Sequence, residues 1–430
     1  MIEDSNSKAQ ANLSPKVLLT DTSRWALAAR LAISLAKAGS EVSAICPARH
    51  PLLKTRAVKR TFRYSGIRPL DSLIAAIEQA QPQVIIACDD RGVQHLHELY
   101  ARARSMGASG NDLTALIERS LGAPASYPIV SSRYDLLHIG QEEGLRVPDM
   151  HLVNSQGDLN SWDASQPLPW VLKADGTWGG RGVKIAHTRE QAQRFFQDLT
   201  RLFGLGRVIK RFLVNRDPFW LRPWWQHARP QVMVQAHIQG RPANCAVVCW
   251  QGKVLAGFGV EVVSADGLTG PASVVRVVDN SEMMLCAERI ARRLGLSGFF
   301  GLDFMIEERS GAAYLIEMNP RCTPLCHLQL GKGRDMVSAL WAQLSGQPYR
   351  DTPPVTTRET IAYFPQAWTS KSEFLQSSYQ DIPQGEPELM QELLEPWPNR
   401  SFLFRASSWL HRMTSFETAV RGSKSSDFGG

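Results

Sequence analysis

Two carboxylates, an amide and a guanidinium stand at short intervals in the segment GFFGLDFMIEERSGAAYLIEMNPR: Asp303, then Glu317, Asn319 and Arg321. Two apolar runs flank Glu307-Glu308-Arg309-Ser310-Gly311, a turn-forming stretch, so the segment reads as a β-hairpin. By the two-residue period of a strand, Phe300, Leu302, Phe304 and Ile306 share one face, and Tyr314, Ile316 and Met318 share the matching face of the partner. The opposite face carries Asp303 on one strand and Glu317, Asn319 and Arg321 on the other. A turn centred near Ser310 makes Asp303 and Glu317 direct cross-strand neighbours. Like charges so placed destabilise a sheet, and a divalent cation relieves them. Two carboxylates plus an amide oxygen form an all-oxygen set suited to Mg²⁺, which takes few protein ligands and leaves room for substrate phosphates. Arg321, further along the same face, would point at that phosphate or at an acyl-phosphate oxygen. Taken alone, the segment also fits a solvated hairpin face with an incidental Glu–Arg pair.

A second segment, Pro169 to Val183, bears on that choice. Trp170-Val171-Leu172-Lys173 reads as a strand, Val183 to Ala186 as its partner, and the loop between them holds Gly176, Gly179, Gly180 and Gly182. Glycines let backbone N–H groups approach phosphate oxygens closely and allow positive φ. Lys173 ends the first strand, where its charge would neutralise an α- or β-phosphate. G-K-[ST] is absent and no helix follows directly, so this is not a Walker loop.

The two segments, in this order and about 130 residues apart, resemble the ATP-grasp superfamily. That family includes D-alanine–D-alanine ligase, biotin carboxylase and the carbamoyl-phosphate synthetase large subunit. The resemblance spans roughly Ser131 to Gly346, and the strand–helix unit before it looks like the family's pre-ATP-grasp domain. It implies ATP and Mg²⁺ (or Mn²⁺) as cofactors, with Asp303, Glu317 and Asn319 as metal ligands. It further implies Arg321 and Lys173 as the catalytic pair, Lys173 touching phosphate and Arg321 stabilising the transferred phosphoryl group. Asp175 to Gly182 would be the mobile loop over the triphosphate. Gln235, Ala236, His237 and Ile238 would offer backbone hydrogen bonds to the adenine. Three positions depart from the family pattern. Arg133 stands where a phosphate-binding lysine is frequent, Gln235 where glutamate is common, and Pro242 where an acidic ribose contact is common.

The reaction implied by the resemblance passes the γ-phosphate to a substrate carboxylate, and an amine or similar nucleophile then attacks the acyl-phosphate. Small-molecule carboxylate and amine substrates are the expected partners, with a homodimer possible and no nucleic acid. An ATP-grasp carboxylase, a small-molecule kinase and a non-catalytic nucleotide-binding module are the alternatives. His327, after the metal strand, reads either as a base near the acceptor amine or as a buried histidine with a backbone partner. The stretch from Arg216 to Arg229 interleaves aromatic and basic residues. It would pack its tryptophans on the lobe, stack bases, or contact an acidic surface or substrate.

The elements that must position these residues follow from pattern. Val17 to Thr20, Glu41 to Ile45 and Val84 to Ala87 are short apolar strands separated by amphipathic helices at about Arg24 to Lys37 and Pro69 to Ala80. That alternation predicts a doubly wound parallel sheet, whose ligands gather at the strand ends near Thr20-Asp21 and Asp89-Asp90. The alternation therefore reads as α/β, and the resemblance implies an α+β ATP-grasp core beside it. The boundaries read 14–125 for the Rossmann-like domain, 126–240 for the small lobe, 241–350 for the large lobe and 351–430 for a C-terminal extension. The seven cysteines are odd in number and scattered in apolar runs, which suggests reduced, buried thiols; the two C-x₃-C pairs lack the histidines of a usual zinc motif. Of the net charge of +7, residues 205–230 supply +5, so the basic balance is local. A polar N-terminus and the absence of a long apolar run lead to the expectation of a cytoplasmic protein without a membrane span.

Overall fold

The computed structural model describes residues 14–163, 165–176, 182–200, 230–265 and 270–395. Strands β1 (Lys16–Thr20), β2 (Glu41–Cys46), β3 (Val58–Arg63) and β4 (Val84–Ala87) form a parallel sheet in the order β3-β2-β1-β4. Strands β1 and β4 are buried almost throughout, as apolar strands covered on both faces must be. One cover is helix α1 (Leu27–Lys37); the other comprises α2 (Pro69–Ala80), α3 (Asp90–Ser105) and α4 (Asn111–Leu121). Asp89 starts α3 by accepting the Gly92 N–H at 2.9 Å.

Helix α5 (Arg133–Glu142) leads to a second, antiparallel sheet. It contains β5 (Met150–Leu152), β6 (Trp170–Ala174), β7 (Val183–Ala186) and β8 (Val232–Ala236) in the order β5-β8-β6-β7. Helices α6 (Gln156–Asp163) and α7 (Arg189–Thr200) close a separate small core around Trp170, Leu172 and Val234.

The third sheet has seven strands: β9 (Gly240–Trp250), β10 (Lys253–Ala265), β11 (Ala272–Val278), β12 (Gly298–Glu307), β13 (Ala313–Asn319), β14 (Thr360–Tyr363) and β15 (Tyr379–Asp381). Their order is β13-β12-β9-β10-β11-β14-β15. Helix α8 (Ser281–Leu294) covers one face with Met283, Cys286, Ala287, Ile290, Ala291 and Leu294, a helical stripe. The Asn280 side chain caps its first turn, and Gly295 at φ 59° ends it in the left-handed conformation. The other face packs against α1 and helix α9 (Met336–Ser345) in the largest core. The N-terminal domain thus lies on the same side of the large sheet as the face bearing Asp303.

One expectation is corrected here, the simple alternation of the hairpin. In the described part of the segment read as a C-terminal extension (351–430), β14 and β15 join the large sheet, and with helix α10 (Pro387–Leu394) they bury Ile361, Tyr363, Leu389 and Leu393 in the main core. Strands of four and three residues are too short to show a period. In the hairpin, simple alternation fails at Ile316. Asp303 pairs with Glu317, but Phe304 pairs with Leu315, so Ile316 is the extra residue of a bulge. Ala313, Leu315 and Met318 face the core, while Tyr314 and Ile316 are only half-buried. Full burial of leucines such as Leu302 and Leu315 is worth on the order of 1.5–3 kcal/mol each and anchors the hairpin.

Candidate functional site

Asp303 on β12 lies directly across from Glu317 on β13. On its other side it lies across from Asn244 of β9, whose side chain therefore shares the same face. Burial, then the neighbouring Glu317 charge, raise the Asp303 carboxyl from its ordinary 3.8 to about 6. Burial acts on Glu317 in the same direction, but Arg133 and Lys173 outweigh it and hold that carboxyl below the usual range. Two half-buried carboxylates side by side are stable when cations share the space, and the protein's own cations do so here. Arg133 donates from Nη2 and Nε to Glu317 Oε1 at 2.9 and 3.2 Å, and from Nη1 to the Ala174 carbonyl at 2.6 Å. It reaches there from the first residue of α5, a start fixed by the Ser132 hydroxyl accepting the Asp135 N–H.

Lys173 is buried on β6 and donates from Nζ to the Ile316 carbonyl at 2.7 Å. The bulge that breaks the alternation thus supplies an anchor for the lysine. Burial lowers the Lys173 ammonium to about 8, against the opposing pull of Glu317. Asn319 donates from Nδ2 to Asp303 Oδ2 at 3.0 Å and accepts on Oδ1 from Arg321 Nη2 at 3.1 Å. Arg321 also donates from Nε to Asp90 Oδ2 at 2.9 Å. Asp90, Ser131, Arg133, Gly176, Glu317 and Arg321 line one open cleft. The structure therefore brings Asp303, Glu317, Asn319, Arg321, Lys173 and Arg133 together from two sheets and the start of α5.

The donor set of Asp303, Glu317 and the Asn319 amide fits a hard divalent cation, with phosphate oxygens completing the shell. Among the described residues no group of three His, Cys, Asp or Glu side chains is placed to hold a metal by itself. The seven cysteines are free and buried.

The remaining expected residues divide into three groups. Gly176, at φ +71°, and Gly182 open and close the loop, whose base is tied by the Ala174 N–H to Gly182 carbonyl bond at 3.0 Å. Gly179 and Gly180 lie outside the described residues, as does the Arg216 to Arg229 stretch. Gln235 and Ala236 end β8, with His237 and Ile238 just beyond. The Ala236 N–H is already given to the Asp149 carbonyl at 2.8 Å, so a base would meet the Ala236 carbonyl or the backbone past it. His327 is 6% exposed, with Nε2 bound to Asp381 Oδ2 at 2.7 Å, and it does not line the cleft. Its partner is a carboxylate rather than backbone, which answers the earlier choice on the side of a packed histidine. Asn244 and the Asp90–Arg321 contact were not assigned from sequence. A polar Asn inside the apolar run ANCAVVCW was a signal, but its neighbour depends on the β9–β12 register.

Comparison with known proteins bears on this geometry. Residues 220–324 match the family profile described as the ATP-grasp domain. Among solved structures, the chain is similar to the biotin carboxylase domain of 2-oxoglutarate carboxylase from Hydrogenobacter thermophilus, a dimer in complex with MgADP and bicarbonate. That match has 15% identity, a TM-score of 0.56 and coverage of 79% of this chain and 71% of that one. N5-carboxyaminoimidazole synthetase from Staphylococcus aureus, complexed with ADP, gives 13%, 0.55, 79% and 80%. L-amino acid ligase from Bacillus licheniformis gives 14%, 0.54, 79% and 76%. No curated protein sequence matches the chain. The chain contains an ATP-grasp domain and has the ATP-grasp fold. Among the described residues no helix is long and apolar enough to cross a membrane.

Proposed function

We propose that the protein is an ATP-dependent ligase that joins a carboxylate to an amine through an acyl-phosphate, releasing ADP and phosphate. The observation that carries this reading is the gathering of a facing carboxylate pair, Asp303 and Glu317, with Lys173, Arg133 and Arg321 beside a cleft that Glu317, Arg133 and Arg321 line. Asp303, Glu317 and Asn319 would hold Mg²⁺ or Mn²⁺, which when bound neutralises phosphate charge. Lys173 and Arg133 would bind the α- and β-phosphates, and the loop from Asp175 to Gly182 would cover them. Arg321 offers fixed donors to the charge that builds on the transferred phosphoryl oxygens, the electrostatic work that dominates phosphoryl transfer. No protein nucleophile is required. The ADP and MgADP complexes of the structural relatives, and the ligase among them, support the reading.

The test is ADP release from Mg-ATP across a panel of carboxylates crossed with amines, with Glu317→Gln as the blank. Release that needs both partners supports the ligase. Release with a carboxylate or hydroxyl compound alone points to a kinase, and release with bicarbonate to a carboxylase. Tight MgADP binding with no release across the panel points to a binding module.

A further inference from the structure

Arg321 is aimed from two domains at once. Its Nη2 donates to Asn319 Oδ1 at 3.1 Å and its Nη1 to the Cys322 carbonyl at 3.2 Å, both within the large lobe. Its Nε donates to Asp90 Oδ2 at 2.9 Å, in the N-terminal domain. A guanidinium carries five N–H donors; three are committed, which leaves two. The next peptide is fastened to the same place, since the Cys322 N–H donates to the Ala87 carbonyl at 3.1 Å, at the end of β4.

The adjacent acids divide the work. Asp89 is used inside the N-terminal domain, where it accepts from the Gly92 N–H and from the N–H and hydroxyl of Thr22. Asp90 is the first residue of α3, and its carboxylate crosses to Arg321. Both side chains of that pair are about one-fifth exposed, at 21% for Asp90 and 19% for Arg321. Without Asp90, the acids left near the guanidinium are Asp89, whose oxygens are taken up by Thr22 and Gly92, and Asp303 and Glu317, which already feel its charge. An arginine that moved there would compete for the carboxylate oxygens assigned to the metal, as its Nη2 already does for Asn319 Oδ1, and lose its aim.

We propose that Asp90 is a positioning residue of the ligase reaction, holding Arg321 off the metal carboxylates so that its two remaining N–H groups meet the phosphoryl group leaving ATP. The inference rests on the proposed function and adds to it a requirement that the N-terminal domain complete the phosphoryl site.

The experiment compares the affinity for MgADP with that for MgADP plus fluoroaluminate, a mimic of the phosphoryl group in flight, in the full chain. The wild type should bind the fluoroaluminate complex more tightly. Asp90→Asn should lose roughly tenfold or more of that tightening, the scale of one charge-assisted hydrogen bond, with a smaller loss for MgADP itself. Asp90→Glu should recover part of it, and carries the test if Asp90→Asn does not bind MgADP. Arg321→Met should lose the same tightening, and the double variant no more than Arg321→Met alone. Full tightening in Asp90→Asn, additive losses in the double variant, or a wild type that binds MgADP without tightening would each overturn the inference. A wild type that does not bind MgADP at all overturns the nucleotide-site reading itself, and the inference with it.

Discussion

Replacing Asp303 with asparagine should stabilise the metal-free protein while destroying its response to Mg-nucleotide. Asp303 sits across from Glu317 with its carboxyl raised from 3.8 to about 6 by burial and by that neighbour. The folded state therefore binds this proton more tightly than the unfolded chain does. Stability linked to Asp303 is fully present below about pH 4 and is lost as pH rises through about 6. At 1.36 kcal/mol for each tenfold change in proton affinity, the full difference is about 3 kcal/mol. Asp303 is partly exposed, so we expect about 1–3 kcal/mol. Asparagine keeps an oxygen for the Asn319 amide and offers Glu317 a donor instead of a like charge. Urea denaturation in EDTA should show Asp303→Asn more stable than wild type at pH 7.5, with the gap closing near pH 4. Mg-nucleotide should then raise the melting temperature of the wild type and leave Asp303→Asn unmoved. A variant less stable than wild type at pH 7.5, or one still stabilised by Mg-nucleotide, would refute the placement of Asp303 as a strained metal ligand.

Other substitutions probe other parts of the account. Arg133→Met should weaken MgADP binding by at least about tenfold in a calorimetric titration, while Arg133→Lys, which keeps the charge, should retain most of it. Gly240→Ala should cost more than about 3 kcal/mol by chemical denaturation, because its Cβ would lie 2.0 Å from the Ile306 carbonyl oxygen, a backbone atom that cannot turn aside. Asp381 is buried between His327 and Arg30, and against the effect of burial these partners hold its carboxyl down to about 2. Its contribution is present above about pH 4 and is lost as pH falls toward 2, so Asp381→Asn should destabilise the protein strongly at pH 7 and much less at pH 2.5.

Much of this architecture was legible because it rests on local pattern. The apolar strands of the parallel sheet could be read from their own residues, and the turn at Glu307 to Gly311 placed Asp303 against Glu317 without any long-range knowledge. Alternation failed where the backbone left the ideal strand, at the Ile316 bulge, since an inserted residue changes no residue type. The role of residues 360–394 was hidden for a different reason. Their strands are held by pairing with β11 and by packing on α1, contacts that no window of sequence contains. The same holds for the cations. Arg133 and Glu317 are 184 positions apart, and Asp90 and Arg321 are 231 apart. Each is an ordinary charged residue in its own segment; only the assembled cleft gives it a partner.

The account's central claim, that the cleft drives ligation through an acyl-phosphate, is tested most directly by following oxygen. Once the panel yields a carboxylate that supports ADP release, that substrate is prepared with ¹⁸O in its carboxyl group and the released phosphate is examined by mass spectrometry. Attack of the carboxylate on the γ-phosphorus predicts one ¹⁸O in each phosphate released, dependent on Glu317 and Arg321. Phosphate that carries no ¹⁸O while product accumulates would contradict the claim.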